Sequence, residues 1–354
     1  MSDALDTARS QSRRGAVYGL VAAALFGLSA PLAKRLLGEM TPQILAGLLY
    51  LGAGLGLSGW RALSPATSEA RMTRPDLPVL AGVVISGGVV GPLLMLVGLN
   101  RVSAVTGSLL LNLEGPLTMG IAVLVFREHL GRYGLVAAAC VLIGAALLRF
   151  QPGAVGVTWG MAAIAGACLA WAIDNNLTQR LSLRDPFAIV RVKSLAAGSF
   201  NLALGLALGG KLPAAGIIVG ALLLGLFSYG ASVVLDAYAL RLVGAAREAA
   251  YFATAPFVGA LAATVVLNEQ LRTLDLAAML LMAVGVAALL RERHAHRHVH
   301  DELVHAHQHV HDEHHQHSHD PSDPPGQPHS HEHRHVHMVH DHPHVPDAHH
   351  RHRH

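Results

Sequence analysis

The sequence predicts an all-α integral membrane fold, with ten transmembrane helices as two five-helix inverted repeats and a disordered C-terminal tail. Three observations predict it. Continuous apolar runs of about 20 residues, the length that crosses a bilayer, recur between residues 15 and 290. Short motifs of the first half return 141 residues later, as Gly15 does at Gly156. The stretch from His294 to His354 then abandons the apolar pattern and holds 24 of the 25 histidines. The divisions that follow are a polar N-terminus (1–14), a first repeat (15–149), a second repeat (155–291) and the tail (292–354).

The runs can be justified in order. The first, 15–37, contains Lys34 and Arg35 and has no small-residue cleavage site after a short core, so it reads as a span and not a signal peptide. The next two, 42–60 and 77–99, carry the pairs Gly52/Gly56 and Gly87/Gly91, a spacing that lets helix backbones approach closely in lipid. Run 103–126 contains Glu114 and Pro116 and is followed by Glu128; run 131–149 closes the first half. In the second half, 155–178 carries Gly156/Gly160 and Asp174, and 186–208 carries Lys193, Asn201 and Gly205/Gly209. Run 212–239 ends near Asp236, 244–267 contains Arg247, Glu248 and Pro256, and 273–290 is the last. None alternates with period two, so strands are not expected in the body.

The repeat is visible in three places. Gly15-Ala-Val-Tyr-Gly19 aligns with Gly156-Val-Thr-Trp-Gly160. Pro116 and Phe126-Arg-Glu128-His-Leu130 align with Pro256 and Leu267-Asn-Glu269-Gln-Leu271, with one residue inserted. Gly144-Ala-Ala-Leu-Leu148 aligns with Gly285-Val-Ala-Ala-Leu-Leu290, again with one insertion. Five helices per copy force the second copy to enter the membrane inverted, the arrangement that puts a transport site near the midplane. Thirteen Arg residues would face the side of the N-terminus and six Lys/Arg the other, so the positive-inside rule puts both termini in the cytoplasm.

Composition excludes several classes. Charged residues are 14%, mean hydropathy is +0.41 and the net charge is +3, spread over loops, which points to no nucleic-acid partner. Cys140 and Cys168 fall inside apolar runs and read as small buried residues, not a disulfide. No phosphate-cradling Gly-Lys-Ser/Thr loop, His-Glu-x-x-His helix or nucleophile elbow occurs, so an enzyme is not expected and energy would come from an ion gradient.

The motifs resemble the drug/metabolite transporter superfamily in its EamA-like branch. They are Asn112-Leu-Glu-Gly-Pro116 with Phe126-Arg-Glu128, Ala170-Trp-Ala-Ile-Asp174-Asn-Asn-Leu-Thr178, Ala239-Leu-Arg241, Tyr251-Phe252 with Ala255-Pro256, and Leu267-Asn-Glu269. The resemblance covers residues 15–291 and implies a ten-helix secondary transporter, often an exporter, of the bacterial inner membrane. A subset of such proteins is similar in carrying a His-rich cytoplasmic tail, with an ending like His349-His-Arg-His-Arg-His354.

Polar groups inside spans are costly and mark sites by default. Glu114 is at mid-run, two residues before Pro116; leaving water disfavours its charged form, which suits reversible proton uptake, or it is a structural residue hydrogen-bonded to neighbouring Ser, Asn or backbone groups. Asp174, Arg191, Lys193, Asp236, Arg247 and Glu248 are of balanced charge at similar depth, as an ion-pair gate or as helix ends whose long side chains snorkel to water. Asn175, Asn176 and Asn201 either orient a polar solute or pack helices. Asn112 and Tyr251, which stand in the motifs, complete the candidate substrate or proton pathway. Pro116 and Pro256 break their helices as bends or hinges. Glu128 and Glu269, duplicated at run ends, read as terminators and loop anchors.

The tail shows no helical or strand periodicity of apolar residues and cannot bury a core. Its His-x-His steps include His294, His296 and His298; His305, His307, His309 and His311; and His333, His335 and His337, with His314 and His315 between. Alternating imidazoles on such a chain close around Zn²⁺, Ni²⁺ or Co²⁺ as a labile buffer, or act as a pH-responsive segment. No cofactor is required; the expected partners are the bilayer, a small solute and divalent metal at the tail. The leading expectation is a transporter of a small metabolite or drug-like solute. A divalent-metal exporter, with the tail gathering cargo, is the alternative, and a non-transporting metal sensor a lesser one.

Overall fold

The structure is a computed structural model of the chain. It describes residues 2–63, 71–126, 131–150, 154–181, 184–243, 245–289, 295–300, 303–309, 329–335 and 338–343. The body is helical throughout. Helices α1 (Ser2–Gly27) and α2 (Ser29–Leu36) run nearly end to end, because Leu28 still donates to Ala24 O at 3.1 Å. Helix α3 (Pro42–Leu63) begins on a proline, whose missing N–H costs nothing in a first turn. The next span is α4 (Leu77–Val83), a π-helical segment (Val84–Val90) and α5 (Gly91–Leu99). Helix α6 (Ala104–Leu110) leads through a 3₁₀ turn (Leu111–Leu113) into α7 (Glu114–Phe126), and α8 (Arg132–Leu147) follows.

Helix α9 (Ala154–Thr178) and α10 (Pro186–Ala207) are long and unbroken; Asp185 caps α10 by accepting from Phe187 N at 2.9 Å. A second π-helical segment (Leu226–Ala231) joins α11 (Ala215–Gly225) to α12 (Ser232–Val243). Helices α13 (Ala245–Phe252), α14 (Ala255–Val266) and α15 (Thr273–Leu289) complete the body. Among the described residues seven helical stretches of 19 to 26 residues are long and apolar enough to cross a membrane. Seven of the ten predicted runs correspond to these stretches, while 131–149 and 273–290 correspond to the shorter apolar helices α8 and α15 and 155–178 to α9.

Small residues set the packing. Helix α3 lies against both α10 and α11. A Cβ on Gly52 would meet Leu222 O, and one on Gly225 would meet Leu49 O, so the α3–α11 crossing closes only with glycine on each side. Helix α1 packs on α12 and α14, α9 packs on α5 and α7, and α8 packs on α15. Leu45, Leu49, Leu96, Leu99 and Leu109 are buried between these pairs, while large apolar residues such as Leu124, Val265 and Leu280 face outward, as a lipid-facing surface requires.

Four short segments of the tail depart from the expectation of disorder. β1 (Ala295–His300) pairs antiparallel with β4 (Met338–Pro343), and β2 (Leu303–His309) with β3 (His329–His335). Apolar periodicity does not mark them, because the period-two alternation here is carried by histidine.

Candidate functional site

The centre of the bundle is built around a backbone irregularity. In the π-helical segment Gly91 N reaches back to Ser86 O, and the next residue, Pro92, has no N–H to offer. The carbonyls of Gly87 and Gly88 therefore lack helical donors. Side chains from three other helices take them: Tyr50 Oη donates to Gly87 O at 2.7 Å, Trp171 Nε1 to the same oxygen at 3.1 Å, and Asn201 Nδ2 to Gly88 O at 3.1 Å. Asn201, fully buried, thus supports the backbone and does not face an opening.

Beside this turn the Lys193 ammonium of α10 pairs with the Asp174 carboxylate of α9. Gly87 makes room for the pair, because a Cβ there would strike the Asp174 carboxylate. Thr178 Oγ1 donates to the other Asp174 oxygen at 3.4 Å.

The second irregularity precedes Glu114. Pro116 cannot donate to Asn112 O, and the chain tightens into the 3₁₀ turn before restarting as α7. Cys168 Sγ donates to Leu110 O at 3.5 Å, and Asn112 Nδ2 to Leu109 O at 3.1 Å, so both act on the break itself. Glu114 is the first residue of α7 and stands at the middle of the span Ala104–Val125. Its Oε1 accepts from Asn175 Nδ2 at 2.7 Å. Glu114 is half-buried and Asn175 exposed, so these two polar groups at mid-span are not sealed in the core. Asp174, Lys193 and Asp236 all lie within electrostatic reach of Glu114.

An aromatic layer borders the charged groups. Phe26 is central, with ring centroids 5.2 Å from Phe252, 5.9 Å from Tyr229 and 6.4 Å from Trp171, and Tyr50 is 5.4 Å from Tyr229.

The structure thus brings together Glu114, Asn175, Asp174 and Lys193. Asp236 instead meets Glu248 across α12 and α13. Asn176 is buried and donates to Ala172 O and Thr118 O, tying α9 to α7. Tyr251 packs against Gly19. Arg191 makes no ion pair among the described residues, and the Arg247 side chain lies outside them. Pro116 and Pro256 each stand in the first turn of a restarted helix. Of the tail histidines expected as metal ligands, His294, His311, His314, His315 and His337 lie outside the described residues, as does Glu128. His296 and His298 are on β1, His305, His307 and His309 on β2, and His333 and His335 on β3. Sequence reasoning missed Phe26, Tyr50, Tyr229 and Gly87; the Gly87-Gly-Val-Val-Gly-Pro92 string was the signal that could have found the orphaned carbonyls.

The two halves of this span pack differently. Helix α6 packs against α14 and α2, whereas its continuation α7 leans on α9 and α8 and makes no comparable contact with α13 among the described residues. Glu114 and Asn175 belong to the α7–α9 contact.

An apolar helical bundle with ionisable groups held at mid-span defines a class: a multi-pass membrane transport protein. The EamA-like transporter family matches residues 13–150 and again residues 158–291, and the chain belongs to that family. A curated relative, an uncharacterized transporter of Methanothermobacter thermautotrophicus, is 30% identical over 295 residues, spanning 78% of this chain and 85% of the relative. A solved crystal structure matches with a TM-score of 0.60 at 18% identity, over 78% of this chain and 98% of that one, a likeness of fold.

Proposed function

We propose that this chain is a secondary active transporter that exports a small metabolite or drug-like solute by alternating access, driven by an ion gradient. The observation that carries the reading is the Glu114–Asn175 pair, a half-buried carboxylate and an exposed amide at mid-span beside the Asp174–Lys193 ion pair. A carboxylate at that depth can bind a proton or a cationic solute and release either when the opening changes sides.

The architecture in this reading is ten spans in two inverted repeats, in a bacterial inner membrane with both termini cytoplasmic. The packing supports it. Helix α1 lies on α12 as α9 lies on α5, and the two π-helical segments end at Val90 and Ala231, separated by 231 − 90 = 141 residues, the offset of the sequence motifs.

The test is solute flux in proteoliposomes, using a broad panel of amino acids, amines and drug-like compounds, with and without a proton gradient. Glu114→Gln is expected to abolish gradient-driven flux. Undiminished flux with unchanged pH dependence would remove Glu114 from the mechanism.

A second reading, export of divalent metal, rests on the His-x-His steps of the tail; register sets His305 opposite His333 and His307 opposite His331, but no group of three or more ligand side chains is assembled among the described residues. Failure of the full-length protein to move Zn²⁺, Ni²⁺ or Co²⁺ would exclude it and leave the tail as a metal buffer or pH sensor.

A further inference from the structure

We propose that Glu269 and Lys34 form a gate that holds shut the mouth on the face opposite the N-terminus. The proposal deepens the transport reading, on which it rests, by naming what closes one side of the pathway.

Helix α14 stops at Val266, and Asn268 adopts φ 53°, a left-handed conformation that asparagine tolerates better than most residues. The reversal presents Glu269 to the start of a helix in the other half of the chain. Its Oε1 accepts from Ala104 N at 2.8 Å and its Oε2 from Val105 N at 2.9 Å. These are the first two amides of α6, donors that no helical carbonyl can reach. Ser103 Oγ takes the third, Thr106 N, at 3.0 Å. The local cap serves one amide, and a single residue 165 and 164 positions away serves the other two.

Lys34, from α2, grips the same connection from its other end. Its Nζ donates to Leu99 O at 2.8 Å and also to Val102 O, carbonyls at and just beyond the end of α5. A carboxylate thus sits on a helix start and an ammonium on a helix end, each the favoured sign for its terminus. The two charges act on each other as well. The link between α5 and α6 is therefore tied to α2 and α14 together.

Below the contact the helices are in tight register. A Cβ on Gly259 of α14 would lie 2.7 Å from Ser108 Oγ of α6, and Ser108 is 1% exposed. The Ser108 hydroxyl has no hydrogen-bond partner among the described residues, so it does not tie α6 to α14 at that depth. Glu269 and Lys34 supply the polar ties on this side, while α7 stands away from α13 on the other. Releasing those ties lets α6 part from α14 and opens the far mouth.

The test needs no knowledge of the solute. In full-length protein with Cys140→Ala and Cys168→Ala, Ser108→Cys becomes the single thiol, probed in proteoliposomes of known sidedness with a membrane-impermeant maleimide. With Glu269 intact, labelling from the face opposite the N-terminus should be slow. Glu269→Ala should raise its rate about tenfold or more, because each lost charge-assisted hydrogen bond is worth about tenfold or more in the closed population. Lys34→Met should act in the same direction by a smaller factor, and Glu269→Gln, which keeps one acceptor, should fall between. Glu269→Gln and Lys34→Met carry the test if Glu269→Ala does not fold. Unchanged labelling in folded Glu269→Gln and Lys34→Met proteins overturns the proposal. A gate that fails this assay in a protein that still moves solute leaves the transport reading intact; a working gate without any solute flux separates the two the other way.

Discussion

Breaking the Asp174–Lys193 pair tests whether the centre of the bundle is a dry, paired site. The two side chains are 6% and 18% exposed, so neither charge has much water to fall back on. Removing one partner of a buried pair costs about 3–5 kcal/mol, chiefly by leaving the other charge uncompensated, whereas removing both is close to neutral. The two single losses should differ. In Lys193→Met the Asp174 carboxylate keeps only the long contact from Thr178, so a cost of about 3–4 kcal/mol is expected. In Asp174→Asn the stranded Lys193 stands seven residues beyond Pro186, the start of α10. At 1.5 Å per residue that is about 10 Å, a distance a long side chain shortens by snorkelling, so the cost falls to about 1–3 kcal/mol. The double variant should recover to within about 1 kcal/mol of the native protein. The assay is a double-mutant cycle by reversible unfolding in mixed detergent micelles. Additivity of the two single changes within about 0.5 kcal/mol would refute the reasoning, since uncoupled residues behave that way.

Tyr50→Phe and Trp171→Phe each leave Gly87 O with one donor and should cost about 0.5–1.5 kcal/mol apiece, while the double variant strands a buried carbonyl and should cost more than their sum; unfolding midpoints decide it. Deleting residues 292–354 should abolish high-capacity Zn²⁺ or Ni²⁺ binding measured by equilibrium dialysis, while thermal unfolding of the body shifts little; retained metal capacity would move the metal site out of the tail.

The helices were legible because bilayer thickness dictates run length, and length survives any packing arrangement. Glu114 stood out as a candidate for a similar reason: a carboxyl in an apolar run is costly unless it serves a site or is hydrogen-bonded by a neighbour, and Asn175 supplies such a bond. What pairs with it was not legible. Asn175 and Asn176 are neighbours of identical chemistry, yet one reaches the Glu114 carboxylate and one the α7 backbone, because successive residues point about 100° apart around a helix. Asn201 likewise looked like a pathway residue until the Gly88 carbonyl, freed by Pro92, accounted for it. The duplicated Glu269 was read as a loop anchor, and it is one, but the helix it anchors belongs to the other half of the chain.

The irregular backbone is not scattered. The π-helical segments interrupt the spans Arg74–Leu99 and Ala215–Leu240, and the breaks at Leu111–Leu113 and Ala253–Thr254 interrupt those that contain α6–α7 and α13–α14. Helices α3, α9 and α10 run unbroken, and α3 and α10 are sealed by glycines on which a Cβ would meet the partner's backbone. In an alternating-access reading this divides the labour. A glycine-locked pair cannot slide without overlap, so α3 and α10 serve as the fixed frame. The broken spans hold their spare carbonyls on side chains instead of on their own ladders, and such bonds can be exchanged at a low net cost when a helix tilts. Glu114 starts the lower half of one broken span, and Glu269 caps the upper half of that same span. In that reading a change at either end would act on the same helix and would link occupancy of the central carboxylate to the state of the far mouth.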